Sequence, residues 1–325
     1  MNVRRPRRLI STVALAGASV LALGTLSACG TSSAADNGKL DVAASFYPMQ
    51  FLAEQIGGKH VNVDNLTKPG VEPHDLELSP KQTAQLGENN VVLYLKGIQP
   101  AVDKAIDQSG VKTVVDAATL TKMEVHGTSS GHSHDHGDEH AEEDGHDHES
   151  EAGTDPHIWL DPVKYAEVAK GVGKALEKAD PDHSADYKKN TEALVKKLDG
   201  LNTEFKDGLK NVTSKTFITT HSAFGYLAER YGLDQEGISG IDPESEPSPA
   251  RIKELQETAK EDNVSTVFFE TLASDKTAKT LAQDTGLKTD VLDPLEGITD
   301  KSKGADYIEV MQSNLAALQK ALGAK

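Results

Sequence analysis

Cysteine is almost missing: the 325 residues hold one, Cys29. A lone cysteine excludes an intrachain disulfide and any thiolate metal cluster, so a bound metal must be held by nitrogen and oxygen. Basic residues are also short, 34 against 51 acidic ones, for a formal net charge of -17. Such a chain lacks the basic patches that nucleic acid requires, and no nucleic-acid partner is expected. An acidic surface suits a protein that gathers cations. No apolar run long enough to span a membrane occurs after the N-terminal stretch that ends near Leu26. Also absent are a His-Glu-x-x-His helix motif, a Gly-x-Ser-x-Gly elbow and a glycine-rich phosphate loop. Without them the chain is not expected to be an enzyme.

What is present begins with a leader. Arg4, Arg5, Arg7 and Arg8 precede an apolar stretch from Leu9 to about Leu26, the pattern of a secretory signal. Leu26-Ser27-Ala28-Cys29 resembles the lipobox of bacterial lipoproteins, in which the cysteine is diacylated and becomes the mature N-terminus. The expectation is a signal peptide over 1–28, a lipid anchor on Cys29 at the outer face of the cell membrane, and a small polar tether over 29–39. Loss of four arginines leaves 30 basic against 51 acidic residues, a mature net charge of -21.

Histidine carries the chemistry. His74, His157 and His221 stand singly in three separated segments: Gly70-Val-Glu-Pro-His-Asp-Leu-Glu77, Asp155-Pro-His-Ile-Trp-Leu-Asp-Pro162 and Thr219-Thr-His-Ser-Ala-Phe-Gly225. Imidazole is the commonest protein ligand for zinc and its neighbours. Pro73 and Pro156 stiffen the backbone just before two of these histidines. His132, His134, His136, His140, His146 and His148 lie in a low-complexity run over 127–153 of Gly, Ser, His, Asp and Glu. That run has too little apolar surface to offset its ordering entropy, and its composition points to auxiliary metal capture. His60 and His183 read as ordinary hydrogen-bonded turn residues.

Short β-branched runs alternate with helical patterns, which predicts α/β architecture with mostly parallel sheets. Strands are expected at 40–46, 60–66, 90–95 and 112–116, then at 215–220, 237–240, 264–270 and 289–292. Helices are expected at 48–56, 80–86, 223–231, 249–261, 274–285 and 305–322, with another starting near Pro162. Four strands on each side predict two lobes, 40–179 and 211–325. Between them, Tyr187, Leu194, Leu198, Leu201, Phe205 and Leu209 recur at helical spacing, predicting one continuous linking helix within 180–210. In α/β domains, loops at the carboxyl ends of the strands converge on the ligand cleft. His74, His221 and the segment Asp293-Pro-Leu-Glu-Gly297 all follow expected strands, so two ligands from each lobe would meet between the lobes.

The three histidine motifs, together with Val267-Phe-Phe-Glu270 and in this order, resemble the metal-binding lipoproteins of ABC transporters. These are the zinc-binding ZnuA/AdcA-like and the manganese- or zinc-binding TroA/PsaA-like proteins. The resemblance covers the chain from about Leu40 to its end. It implies two four-stranded α/β lobes bridged by one long, rigid helix, with His74, His157 and His221 as metal ligands. An acidic residue near the last strand often completes the family's site, and the pattern here favours Glu296, with Asp293, Glu72 or a water as alternatives. Glu270 is expected to hydrogen-bond a ligating histidine.

The same resemblance implies a function: extracytoplasmic capture of Zn2+ and delivery to an ABC permease with its ATPase, by a protein acting as a monomer. Three imidazoles and one carboxylate favour zinc over the manganese of some relatives. The rigid helix implies release by small shifts and no wide hinge closure. A surface zinc scavenger or adhesin working through the histidine-rich run is the alternative.

Overall fold

The computed structural model describes residues 38–126 and 154–325. The leader, Cys29 and the six histidines of the low-complexity run lie outside the described residues. Residues 38–325 cluster as one compact unit, and among the described residues no helix is long and apolar enough to cross a membrane.

The first half runs β1 (Leu40–Ala44), α1 (Tyr47–Gly57), β2 (Val61–Asn65), α2 (Pro80–Leu86), β3 (Val91–Tyr94), α3 (Pro100–Ser109) and β4 (Val114–Asp116). Then come α4 (Pro162–Ala179) and the long α5 (Ser184–Leu209). The second half repeats the plan: β5 (Thr216–Thr219), α6 (Gly225–Tyr231), β6 (Asp234–Gly237), α7 (Pro249–Glu261), β7 (Thr266–Phe269), α8 (Lys276–Thr285), β8 (Lys288–Val291) and α9 (Tyr307–Leu322). The sheets are ordered β2-β1-β3-β4 and β6-β5-β7-β8, and all pairings are parallel. The α/β class read from the sequence is the observed one.

Local chemistry sets the helix starts. Helices α2, α3, α4 and α7 each begin on a proline, whose fixed φ suits a first turn that needs no N–H. Ser79, Asp161 and Ser248 accept from the first free N–H groups of α2, α4 and α7.

One strand differs from expectation. The second-half edge strand is Asp234–Gly237, not 237–240. Asp234, Gln235 and Glu236 stay at least partly exposed because β6 pairs only with β5. Their polarity therefore hides the strand from hydrophobic patterning.

Helix α5 spans 26 residues, roughly 39 Å at 1.5 Å per residue. Its buried stripe is Tyr187, Thr191, Leu194, Leu198, Leu201, Phe205 and Leu209. It packs on α1 and α4 from the first half and on α6 and α9 from the second. One hydrophobic cluster accordingly runs from Val42 and Phe51 through Leu198 and Phe205 to Phe217 and Leu318. Each sheet also has a smaller outer cluster, around Val92 and Ile106 in the first half and around Val267 and Leu281 in the second. The shared core and the helix behind it hold the two sets of strand ends in register.

Candidate metal centre

Four loops bring the expected residues together. His74 follows β2, His157 precedes α4, His221 follows β5 and Glu296 follows β8. Nε2 of His74, His157 and His221 lies 3.3, 3.2 and 3.2 Å from one atom, Oε1 of Glu296. The ligand atoms of all four residues lie within 4.8 Å of one another. Zinc bonds of about 2.0–2.1 Å in a tetrahedron imply ligand-to-ligand edges of roughly 3.3–3.4 Å. The three Nε2-to-Oε1 distances approach these edges. Glu296 Oε2 and His221 Nε2 are buried without a hydrogen-bond partner, a costly state that an ion would relieve.

The second nitrogens of His157 and His221 are oriented from behind. Nδ1 of His157 lies 2.7 Å from Oδ1 of Asp155, which also accepts the His157 backbone N–H at 2.9 Å. Nδ1 of His221 lies 2.9 Å from Oε1 of Glu270, as expected, and Thr220 donates to the same oxygen. Carboxylates only accept here, so Nδ1 carries the proton and Nε2 keeps its lone pair for a metal. Asp155 was not recognised from sequence; its place two residues before a motif histidine is the only local signal.

The loop carrying Glu296 is built by the rival candidate. Asp293 Oδ1 accepts from Leu295 N at 2.8 Å, and Oδ2 accepts from Thr271 at 3.1 Å. Asn314 clamps the backbone of Asp293 on both sides. Leu295 sits at φ +59°, a left-handed conformation unusual for leucine, with its side chain buried. This turn aims Glu296 inward, while Asp293 is committed to the loop.

Electrostatics separate the carboxyls. Burial opposes ionisation of Glu296, but the charges of His221 and His74, with the hydrogen bond to His157, hold it well below the usual range. Burial, then the charge of Glu296, pushes Glu72 up to about 8. Glu72 is not among the residues whose ligand atoms converge with Glu296. Burial works against protonation of His157 and His221. Asp155 and Glu296 override it for His157, and Glu270 and Glu296 raise His221 well above its ordinary value. The site is arranged to hold positive charge.

His157, His221 and Glu296 are at most 1% exposed, whereas the His74 side chain is 10% exposed. A groove of roughly 910 Å³ lies between the loops after β2, β7 and β8, lined by Gly70, Thr271, Leu272 and Ile298 among others. His74 is thus on the solvent side of the cluster.

Comparison with known proteins gives the same picture. The chain is 39% identical to the high-affinity zinc uptake system protein ZnuA of Bacillus subtilis over 308 residues, covering 91% of this chain and 93% of that one. It is 37% identical over 300 residues to the zinc-binding lipoprotein AdcA of Streptococcus pneumoniae, covering 90% of this chain but only 58% of that longer protein. The solved Zn(II)-bound ZnuA-like domain of Streptococcus pneumoniae AdcA superposes with a TM-score of 0.70 at 33% identity, covering 88% of this chain and 99% of the domain. The family model described as zinc-uptake complex component A, periplasmic, matches residues 42–321, and the chain belongs to that ZnuA family.

Proposed function

We propose that the chain is the extracytoplasmic solute-binding component of a zinc ABC import system. It binds one Zn2+ through His74, His157, His221 and Glu296 and hands it to a membrane permease driven by an ATPase subunit. The observation that carries this reading is the meeting of three Nε2 atoms on one buried carboxylate oxygen. Three imidazoles and a carboxylate suit borderline-soft zinc better than oxygen-seeking manganese. The zinc-uptake names of the relatives and the Zn(II)-bound neighbour support the same cargo.

The protein is a carrier in this reading and not an enzyme. Four protein ligands leave no open position for a reacting water, which a catalytic zinc site keeps. Cys29 would tether it to the outer face of the membrane as a monomer, and the six histidines of 127–153 would collect zinc near the cleft.

Chelator-competition titration of the mature chain tests the proposal. One tight zinc is expected, lost on substitution of His157, His221 or Glu296. A tight zinc indifferent to all three would end it.

A further inference from the structure

A second group of ligand-type side chains lies outside the cleft. Glu124, His126 and Glu229 bring their ligand atoms within 4.8 Å of one another. His126 immediately precedes residue 127 and so stands at the edge of the histidine-rich run in sequence. Glu229 lies on α6 of the other half.

The imidazole of His126 is held at both nitrogens. Nδ1 lies 3.0 Å from Oδ2 of Asp155 and Nε2 lies 2.9 Å from Oε2 of Glu229. The ring packs edge-on against Tyr226, centroids 4.4 Å apart. The Tyr226 hydroxyl accepts from the Glu124 backbone N–H at 2.8 Å and lies 2.8 Å from the Asp155 carbonyl. A Cβ at Gly225 would collide with His126, so the glycine makes room for the ring. These contacts describe a placed side chain, not a chance surface cluster.

The Asp155 carboxylate takes Nδ1 of His157 on one oxygen and Nδ1 of His126 on the other. With its proton on Nδ1, His126 turns the Nε2 lone pair toward the Glu229 carboxylate. Two electron-rich atoms 2.9 Å apart need a cation, either a proton on Nε2 or a metal beside it. Glu124 adds a second carboxylate. Its Oε1 lies 3.4 Å from Nζ of Lys164 and 3.5 Å from Nζ of Lys122, and these ammonium groups compete for it and weaken any ion bound there. The side chains of Glu124, His126 and Glu229 are 24%, 18% and 62% exposed, in contrast to the buried cleft.

We propose that Glu124, His126 and Glu229 form a second, weaker and rapidly exchanging site for Zn2+, outside the cleft and behind His157. One imidazole and two carboxylates suit zinc, and three protein ligands leave room for water and for exchange. Asp155 orients one imidazole in each site, so the cleft and the outer site share a single carboxylate.

The test uses the full mature chain with His132, His134, His136, His140, His146 and His148 each replaced by asparagine, and Zn2+ alone as the probe. Equilibrium dialysis with metal analysis is expected to give one zinc at low free metal and a second at higher free metal. Glu229→Gln changes an exposed side chain and should weaken the second zinc about tenfold or more while sparing the first. His126→Asn should remove the second zinc as well. A single zinc in the parent chain, or a second one that survives both substitutions, overturns the proposal. The outer site stands apart from the cleft reading: a Glu229-dependent zinc without a tight one would support the outer site and overturn the cleft.

Discussion

The indole Nε1 of Trp159 donates to the carbonyl of Pro294 at 2.7 Å, joining the loop that carries His157 to the loop that carries Glu296. The indole is fully buried, 5.0 Å from the ring of Phe46 and 5.1 Å from the imidazole of His157. Tyr307 of α9 donates to the Trp159 carbonyl at 2.5 Å. Trp159→Phe keeps most of the apolar surface but leaves the Pro294 carbonyl unpaired. The expected cost is about 1–3 kcal/mol in stability, with a fall in zinc affinity because the two ligand loops are no longer tied. Thermal melts and competition titrations of this variant would show both effects. Unchanged zinc affinity would mean that the ligand loops hold their places without this bond.

The same indole is the only tryptophan in the chain, which makes it a built-in reporter beside the proposed centre. Its emission should change when one equivalent of zinc enters the cleft. His157→Ala should abolish that change, while replacement of a single histidine such as His140 should leave it intact. A signal that persists in His157→Ala would place the tight ion elsewhere.

Much of this arrangement was legible in the chain before its fold. The stripe of α5 shows through because Tyr187, Leu194, Leu198, Leu201, Phe205 and Leu209 face one continuous core, which imposes helical periodicity. His74, His157 and His221 stand out because each sits in a distinctive loop motif. Asp155 and His126 did not stand out, because their partners lie on other segments and pattern does not report hydrogen bonds made in three dimensions. In the sequence, only resemblance favours Glu296 over Asp293; the fold adds a physical reason, because Asn314 clamps Asp293 while Leu295 turns the next carboxylate inward.

Positioning carboxylates offer a second handle. Glu270 holds His221 by Nδ1, and Glu270→Gln replaces the carboxylate acceptor with an amide that can present its NH2 to the imidazole. Removal of such outer partners typically lowers metal affinity 10–100-fold. The variant should still bind one zinc, with affinity reduced by about that factor, and its metal-free form should lose the stability that comes from the raised His221. His221→Ala should lose far more, since it removes a ligand outright. Equal losses in the two variants would show that Glu270 does more than orient the ring.

The shared core predicts cooperative unfolding. Phe205 is fully buried and stacks on Tyr231 at 5.2 Å, at the place where α5 meets the second half. Phe205→Ala should cost about 3–5 kcal/mol. Because the main cluster crosses both sheets, Trp159 fluorescence and far-ultraviolet circular dichroism should report one coincident urea transition in the parent chain. Two separated transitions would show that the halves unfold independently and that α5 is a tether between them.

The strongest pH effect should differ in sign between the metal-free and zinc-bound protein. His157 and His221 titrate above their ordinary value in the folded, metal-free chain. That state therefore binds more protons than the unfolded chain, whose imidazoles titrate near about 6.5. Their contribution to stability is fully present below that value and is lost as pH rises through the raised folded values. Glu296, held well below its ordinary value, acts oppositely: its contribution is present above about 4.3 and is lost as pH falls through the depressed value. Metal-free protein should thus grow less stable as pH rises from about 6.5 through the raised histidine values. Zinc must displace the same imidazole protons, so its affinity, and the rise in Tm that it causes, should grow over the same interval. Calorimetric melts across that range, with and without zinc, would give two curves that diverge as pH rises. Parallel curves would mean that the ion does not compete with protons on His157 and His221, and the four-residue centre would then have to be abandoned as its binding site.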